Sequence, residues 1–217
     1  MARAAGAALA VTGLPPAIVT PRAQQTPAAK PTFDDLYRRG RQVTSGVTTL
    51  SARFVETTTS TLLEHPIVER GQLFVERAVP RVALRYSTPQ DRVLLIDGDR
   101  MTTSWPSRGI TRTSDIRTAR RRIQGYFEDA DASELREAFT IELRDASARA
   151  GAIEVSMVPR RRQISETLAR LELWVNEREA LLEAMRMTFA NGDVKLMEFG
   201  GVEANAALDP RVFSVPT

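Results

Sequence analysis

The chain has 217 residues, enough for one domain with a leader, and a domain of this size buries roughly 70% of the surface that its unfolded chain exposes. The formal net charge is +3, but residues 1–29 contain two arginines and no acid, so the remainder carries 28 basic against 27 acidic residues. This near-neutral balance excludes a general electrostatic attraction for nucleic acid, and the absence of cysteine, with a single histidine, excludes disulfides, thiolate metal sites and a histidine-rich metal centre.

Residues 1–30 predict a signal peptide and a flexible leader. Arg3 gives the start a positive charge, and an apolar run of 11 residues follows at 4–14. This run is too short for a membrane-spanning helix, which needs about 20 residues, but it is typical of a secretory signal. The proline-rich stretch 15–32 indicates a flexible approach to the domain. The alternative is a disordered cytoplasmic tail.

Residues 31–217 predict a single domain that begins with a helix and continues with strands. Thr32 has the character of an N-cap, with an acid at Asp35, and apolar residues on one face predict a helix over 33–45. A strand begins at Leu50 and extends through the threonine run 57–61. Asp97-Gly98 predicts a tight hairpin, because glycine accepts the positive φ of such a turn. The next four strands are predicted at 71–77, 81–87, 92–96 and 100–105.

The middle of the chain changes to helical periodicity. Apolar residues from Ile116 to Phe127 share one face of a predicted helix over 115–127, and a short helix is predicted at 133–138. Asn191-Gly192-Asp193 predicts the last hairpin turn. Strands are predicted at 139–144, 152–158, 168–175, 180–189 and 194–202, with a terminal strand at 212–215.

These elements predict a mainly β (α+β) fold, namely an incomplete antiparallel β-barrel of about 10–11 strands with an α-helical lid. Hairpins at this spacing favour a highly curved sheet over a parallel α/β fold. The apolar face of the helix over 115–127 needs a partner, and the open side of an unclosed sheet provides one. The topology therefore indicates a container.

Alternation along the strands predicts which side chains point into that container. The methionines among them are flexible and suit ligands of varying shape. A solid core would produce the same alternation, so the pattern leaves a filled core and a ligand cavity both open. The predicted cavity residues are Phe54, Leu73, Val75, Leu84, Tyr86, Met101, Trp105, Ile123, Phe127, Leu143, Val155, Met157, Leu173, Met185, Met187 and Phe189.

The stretch 71–106, GQLFVERAVPRVALRYSTPQDRVLLIDGDRMTTSWP, resembles the outer-membrane lipoprotein carrier family (LolA-type) in the order of its residue types. One strand ends in Val-Glu-Arg before a proline, the next ends in Tyr-Ser-Thr-Pro, and a later one ends in Trp105-Pro106. Segments 50–56 (LSARFVE) and 171–175 (LELWV) are similar to an early and a late strand of the family. The resemblance covers residues 33–217.

The resemblance implies a periplasmic half-barrel that holds acyl chains in an apolar cavity. In the family an arginine directly before a proline hydrogen-bonds to the helical lid. Here Arg77 stands before Pro80 with two residues between them, and Arg81 directly follows that proline, so both are candidates for control of the lid. The implied partners are lipid-modified proteins or free lipids, an inner-membrane release machinery and an outer-membrane acceptor. We expect a monomer that binds no nucleic acid, cofactor or metal.

No residue pattern in the sequence indicates catalysis. A glycine-rich phosphate loop, catalytic carboxylates at a recognisable spacing and a nucleophile elbow are all absent from it. We therefore expect a carrier rather than an enzyme. One alternative is an envelope sensor of lipids or lipoproteins, or an interaction scaffold, on the same fold. Another is an enzyme on lipid or glycan substrates, which would need a convergent polar site in the cavity.

Overall fold

Helix α1 opens the domain and spans Phe33–Ser45, as predicted. The computed structural model describes residues 31–118, 120, 131–146 and 149–215. A capping box begins the helix: the Thr32 hydroxyl oxygen accepts from the Asp35 N–H at 3.2 Å, and the Asp35 carboxylate accepts from the Thr32 N–H at 3.3 Å. Hydrogen bonds from Thr32, first from its hydroxyl at 2.7 Å, hold the pKa of Asp35 below its ordinary value. These bonds satisfy N–H groups that a helix start leaves unpaired.

Eleven strands form one antiparallel sheet within the described residues. They are β1 Thr49–Thr59, β2 Ile67–Glu76, β3 Arg81–Thr88, β4 Arg92–Asp97, β5 Arg100–Trp105, β6 Ile110–Asp115, β7 Phe139–Asp145, β8 Ala152–Pro159, β9 Leu168–Asn176, β10 Leu182–Phe189 and β11 Val194–Ala204. Their order is β6-β5-β4-β3-β2-β1-β11-β10-β9-β8-β7. The edge strands β6 and β7 do not pair with each other, so the sheet stays open. The predicted incomplete antiparallel barrel is confirmed.

Two further helices lie in the described part of the chain, α2 at Ala132–Ala138 and the single-turn α3 at Arg162–Ser165. Helix α2 was predicted, whereas α3 was not. The helix predicted over 115–127 begins at its expected place, since the N–H of Arg120 donates to the carbonyl of Ile116 at 2.7 Å. Most of that segment, including Ile123 and Phe127, lies outside the described residues.

Two strand predictions are wrong. Strand β6 was missed because all six of its residues are exposed, so it carries no apolar alternation. Residues 212–215 were predicted as a strand, but Pro210–Phe213 forms a 3₁₀ turn instead. The Asp209 carboxylate accepts from the N–H of Arg211 at 2.9 Å, and proline supplies the fixed φ that a helical first turn requires.

Helices α1 and α2 pack on one face of the sheet, which we call the inner face; the opposite one is the outer face. Leu36 from α1 and Leu135 from α2 meet buried residues of β7, β8 and β9 there. Burial of each large apolar side chain contributes about 1.5–3 kcal/mol. The strand residues of this cluster are Phe139, Ile153, Val155, Met157 and Leu171.

A second buried cluster lies on the inner face around Phe54 of β1. Its ring meets that of Tyr86 edge-on, with the ring centroids 5.0 Å apart, and Met197 packs beside them. Gly71 of β2 is the cross-strand neighbour of Phe54. A Cβ at Gly71 would lie 2.7 Å from Phe54 Cζ and 2.3 Å from the Arg85 carbonyl oxygen. The close approach of ring and backbone therefore requires glycine at this position.

The end of the chain covers part of the outer face. Phe213 is buried, and the Arg81 guanidinium lies 4.6 Å from the centroid of its ring. Arg85 Nη1 donates to the carbonyls of Val212 at 3.1 Å and Ser214 at 3.0 Å. These contacts fix the tail against β3.

Replacing Gly71 by alanine is expected to lower the free energy of unfolding by about 1–3 kcal/mol, because the added Cβ forces Phe54 or β3 to shift. Gly200→Ala on β11 is the matched control, since nothing lies within 4 Å of its added Cβ. That variant should be neutral or more stable by up to about 1 kcal/mol. Urea denaturation measures both, and equal effects at the two positions would contradict the packing described for Phe54.

Candidate functional site

A cavity of about 480 Å³ lies between α1 and the inner face of the sheet. Helix α1 contributes Phe33, Leu36 and Tyr37 to its wall. The volume falls within the roughly 300–1,000 Å³ that is usual for small-molecule sites. The opposite wall comes from strand residues Leu50, Ala52, Leu73, Val155, Leu173, Val175, Leu182, Phe199 and Val202.

The wall of this cavity is almost entirely apolar. Thr44 is one of its few polar members, and its hydroxyl donates to the Gly40 carbonyl at 2.8 Å, so it is satisfied within α1. Arg41, the charged member, is an exposed residue. An apolar ligand here would therefore leave no buried polar group without a hydrogen-bond partner. Leaving such a group unpaired costs about 1–3 kcal/mol.

Polar contacts connect α1 to its surroundings near its start and at its middle. Arg136 of α2 places Nη1 2.9 Å from Asp34 Oδ1, and its guanidinium lies 5.5 Å from the Phe33 ring centroid. Arg39 donates from Nη1 to the carbonyl of Glu177, between β9 and β10, at 2.8 Å. The Arg136–Asp34 pair is about half exposed on both sides, so it contributes only about 0–1 kcal/mol.

A third contact holds the end of α1, and it involves Arg77. Arg77 Nη1 donates to the Thr44 carbonyl at 2.7 Å, and the Arg77 N–H donates to the Thr48 carbonyl at 2.9 Å. The positive charge thus meets the C-terminal turn of the helix, where carbonyls lack intrahelical partners. Arg81, the other arginine proposed to control the lid, lies on the outer face, where it pairs with the Glu76 carboxylate and stacks on Phe213.

The structure distributes the predicted cavity residues over three surroundings. Leu73, Val155 and Leu173 line the cavity. A larger group packs in the two inner-face clusters beside it: Phe54, Leu84, Tyr86, Leu143, Met157, Met185 and Met187. The half-buried remainder lies in neither cluster: Val75, Met101, Trp105 and Phe189. Ile123 and Phe127 lie outside the described residues.

A group of charged and polar side chains, which we call the Glu56 cluster (Glu56, Glu69, Tyr86, Arg92 and Lys195), adjoins the Phe54 ring. The Glu56 carboxylate is 2% exposed and accepts from Tyr86 Oη at 2.9 Å and Lys195 Nζ at 2.5 Å. Arg92 lies over the Tyr86 ring, 3.8 Å from its centroid, and donates to Glu69 at 2.9 Å. Each charge of the cluster, including that of the buried Glu56, therefore has an opposite charge beside it.

The Glu56 cluster marks where the apolar inner surface of β1 ends. Ala52 lines the cavity, Phe54 follows it, and Glu56 comes next on the same face. With a rise of about 3.3 Å per residue, Glu56 is roughly 13 Å along the strand from Ala52. An apolar ligand that extended this far would meet ion pairs instead of apolar side chains.

The sequence matches a protein family whose fold agrees with the cavity, its covering helix and the open antiparallel sheet. The family described as "Outer membrane lipoprotein carrier protein LolA" matches residues 45–216. This chain belongs to the LolA family. The family consists of extracytoplasmic carriers or binders rather than enzymes, which supports a lipid-binding or lipoprotein-related function for this member. No curated protein matches the chain.

Solved structures share the fold of this LolA family member. The lipoprotein LppX of Mycobacterium tuberculosis superposes with a TM-score of 0.51 at 10% identity, covering 80% of this chain and 96% of that chain. The MucA/MucB complex of Pseudomonas aeruginosa gives a TM-score of 0.50 at 14% identity, covering 84% of this chain and 60% of that chain. At these identities the likeness shows the fold alone.

The described part of the chain contains neither a membrane-spanning helix nor a cluster of metal ligands. None of the described helices has the length and apolar composition needed to cross a membrane. The described His, Asp and Glu residues form no group of three that could hold a metal ion.

Sequence reasoning missed two parts of this site. Phe33, Leu36 and Tyr37 were placed on one face of the first helix by their spacing, but nothing local indicated that this face covers a cavity. Glu56 lies two residues after Phe54 and four after Ala52, so strand alternation places its side chain on the same inner face. That spacing was the signal in the sequence for a buried acid. Its partner Lys195 is 139 residues away, so the pairing was not visible in the sequence.

The stability of the protein is expected to decrease above pH 10 because of the buried Tyr86. Burial, and then the neighbouring Glu56 carboxylate, raise the pKa of Tyr86 well above its ordinary value. The unfolded chain releases this proton near pH 10 while the native state keeps it, so stability is complete below pH 10 and falls above it, by up to about 1.4 kcal/mol per pH unit from this group. Tyr86→Phe should lack that component, although losing the hydrogen bond should cost about 1–3 kcal/mol at pH 8. Urea denaturation between pH 8 and pH 11 tests this, and parallel curves for the two proteins would contradict it.

Arg77→Met is expected to loosen the last turn of α1, because the Thr44 carbonyl loses its guanidinium donor. Loss of a hydrogen bond worth about 1 kcal/mol corresponds to roughly fivefold faster amide exchange in that turn. Hydrogen–deuterium exchange of residues 42–45 measures the effect. Arg81→Met makes the same change on the outer face and should leave α1 exchange unaltered; faster exchange in both variants would point to general destabilisation.

Proposed function

We propose that this protein carries the acyl chains of lipoproteins, or of other lipids, through the periplasm towards the outer membrane. The observation that carries the proposal is the apolar cavity of about 480 Å³ beneath α1. Membership in the LolA family supports the same class of ligand. The apolar wall suits acyl chains in general, so it sets the chemical class of the cargo.

Sequestration in such a cavity follows from the hydrophobic effect. Removing an acyl chain from water is favourable by about 0.8 kcal/mol for each CH₂ group. Release into water therefore carries the same cost, whereas transfer to a membrane or to an acceptor with an apolar site does not. A carrier of this kind delivers cargo only where another apolar environment receives it.

Helix α1 is the element proposed to move when cargo enters. Its apolar face forms one wall of the cavity, while Asp34, Arg39 and Thr44 connect it to the rest of the domain through partly exposed polar contacts. Such contacts are individually weak and can be exchanged for water. An acyl chain favours a displaced helix only if it gains more contact in that state than in the closed one.

The wider setting of this function is a proposal that rests on the sequence. Residues 1–30 act as the export signal and leader, and residues 31–217 act as the carrier domain. The proposed partners are lipid-modified proteins or free lipids, an inner-membrane release machinery and an outer-membrane acceptor. The protein would act as a monomer.

Ala52→Phe is expected to weaken acyl-chain binding by at least tenfold, because the added ring occupies the cavity from β1. Ser51→Phe places the same ring on the other face of β1 and is the matched control. Titration of the full chain with a fluorescent fatty-acid probe measures the affinity. Native mass spectrometry with lipid extraction, on protein purified from the periplasm of its host, identifies the natural cargo.

The outcomes separate a carrier from its alternatives. Binding that Ala52→Phe weakens and Ser51→Phe preserves supports the carrier. A wild-type protein that is recovered empty and binds no probe overturns it and favours a sensor or scaffold on the same fold. Binding that neither variant changes would place the ligand elsewhere on the molecule.

A further inference from the structure

A second recess, of about 900 Å³, lies where β1, β2, β3 and β11 present their outer-face residues. Two cross-strand rows form it. Gly200, Arg53, Gln72 and Arg85 face one another in the first row, and Glu198, Val55 and Arg70 do so in the second. Arg149 adds a further guanidinium from the loop before β8. We call this recess the outer groove.

The outer groove carries an excess of positive charge, with four arginines against one glutamate in its wall. Arg149 uses that glutamate, Glu198, as its ion-pair partner, and Arg85 donates to the tail carbonyls of Val212 and Ser214. Within the described residues, neither Arg53 nor Arg70 has a side-chain hydrogen bond or an ion pair. Some other arginines on the outer face pair with neighbouring acids, as Arg144 does with Glu142 and Arg186 with Glu172.

Arg53 and Arg70 are both exposed, and Gly200 leaves open space beside Arg53. Gly200, the cross-strand neighbour of Arg53, has no side chain, and nothing lies within 4 Å of where its Cβ would be. Arg53 lies against Gly201, where an added Cβ would be 3.1 Å from Nη2. Gly200 thus leaves open space beside Arg53, whereas the absence of a side chain at Gly201 makes room for the guanidinium itself.

We propose that the outer groove binds an acidic polypeptide segment of a partner protein, with side-chain carboxylates on Arg53 and Arg70. The planar guanidinium donates two parallel hydrogen bonds to a carboxylate, which makes arginine suited to this recognition. This site is separate from the acyl cavity and does not depend on the proposed carrier function. A lipid carrier and an envelope sensor would both need such a surface to recognise a protein.

The surroundings favour a peptide over the other anions that arginines bind. Single-stranded nucleic acid is held by stacking on exposed aromatic rings, but Phe54 and Tyr86 beside the groove are buried on the inner face. Membrane surfaces are bound by basic residues that lie beside apolar or aromatic anchors, whereas the cross-strand neighbours of Arg53 are glycine and glutamine. A narrow extended chain can enter this recess.

The test uses the full chain and a fluorescein-labelled dodecapeptide that alternates glutamate with serine. Fluorescence polarisation at low salt should show binding that weakens as salt rises. Arg53→Gln/Arg70→Gln should weaken it at least tenfold. The matched control, Arg100→Gln/Arg178→Gln, removes the same charge from exposed residues outside the groove and should change the affinity less than twofold. Circular dichroism melting checks that both double variants remain folded.

Three results would overturn the proposal. The first is no binding of the glutamate peptide, or equal binding of a peptide with glutamine in place of glutamate. The second is equal loss in the two double variants, which would mean an effect of net charge. The third is binding to phosphatidylglycerol vesicles, but not to the peptide, that the groove variant abolishes. If the groove variant still binds the fatty-acid probe with wild-type affinity, a failure of the proposed groove is distinguished from a failure of the carrier function.

Discussion

The architecture depends on one constraint: the sheet never closes, so its inner face must be covered by something other than itself. A closed barrel satisfies its edge strands by pairing them, but β6 and β7 remain apart here. Helices α1 and α2 bury the inner face of β7–β10 instead. A helix cannot match the curvature of a sheet everywhere, and the space left under α1 is the cavity.

Polar and apolar interactions have different roles between α1 and the sheet. Apolar contacts hold α1 over the sheet, whereas polar contacts from Arg136, Arg39 and Arg77 determine where the helix sits. The Glu56 cluster has a different role, since Glu56 is buried and its charge is paired with that of Lys195. Removing one partner of such a pair costs more than the pair itself contributes. The Glu56 cluster therefore ends the apolar inner surface of β1 at a fixed place. The polar contacts at α1 are weaker, so the helix that covers this surface is held less firmly.

Local signals made much of this fold predictable. The capping box at Thr32 and Asp35 located α1, and glycine turns such as Gly98 located the hairpins, because these interactions span few residues. Strand β6 was missed because both of its faces are exposed, and the contact of Arg81 with Phe213 joins residues that are distant in the sequence. The cavity itself could not be predicted, since alternation shows which way a side chain points but not whether another atom fills the space beside it.

The strand order has a consequence for how the chain folds. Neighbours in this sheet are consecutive in sequence except at the centre, where β1 pairs with β11. Contacts across that seam join residues that are far apart in the sequence; Glu56 and Lys195, for example, are 139 positions apart. Such contacts form slowly because the entropy of closing a long loop must be offset first. We expect β1–β6 and β7–β11 to assemble as separate meanders, so the native fold is unavailable until the last strand has been synthesised. That delay would suit the proposed export, because a polypeptide passes through a translocon unfolded.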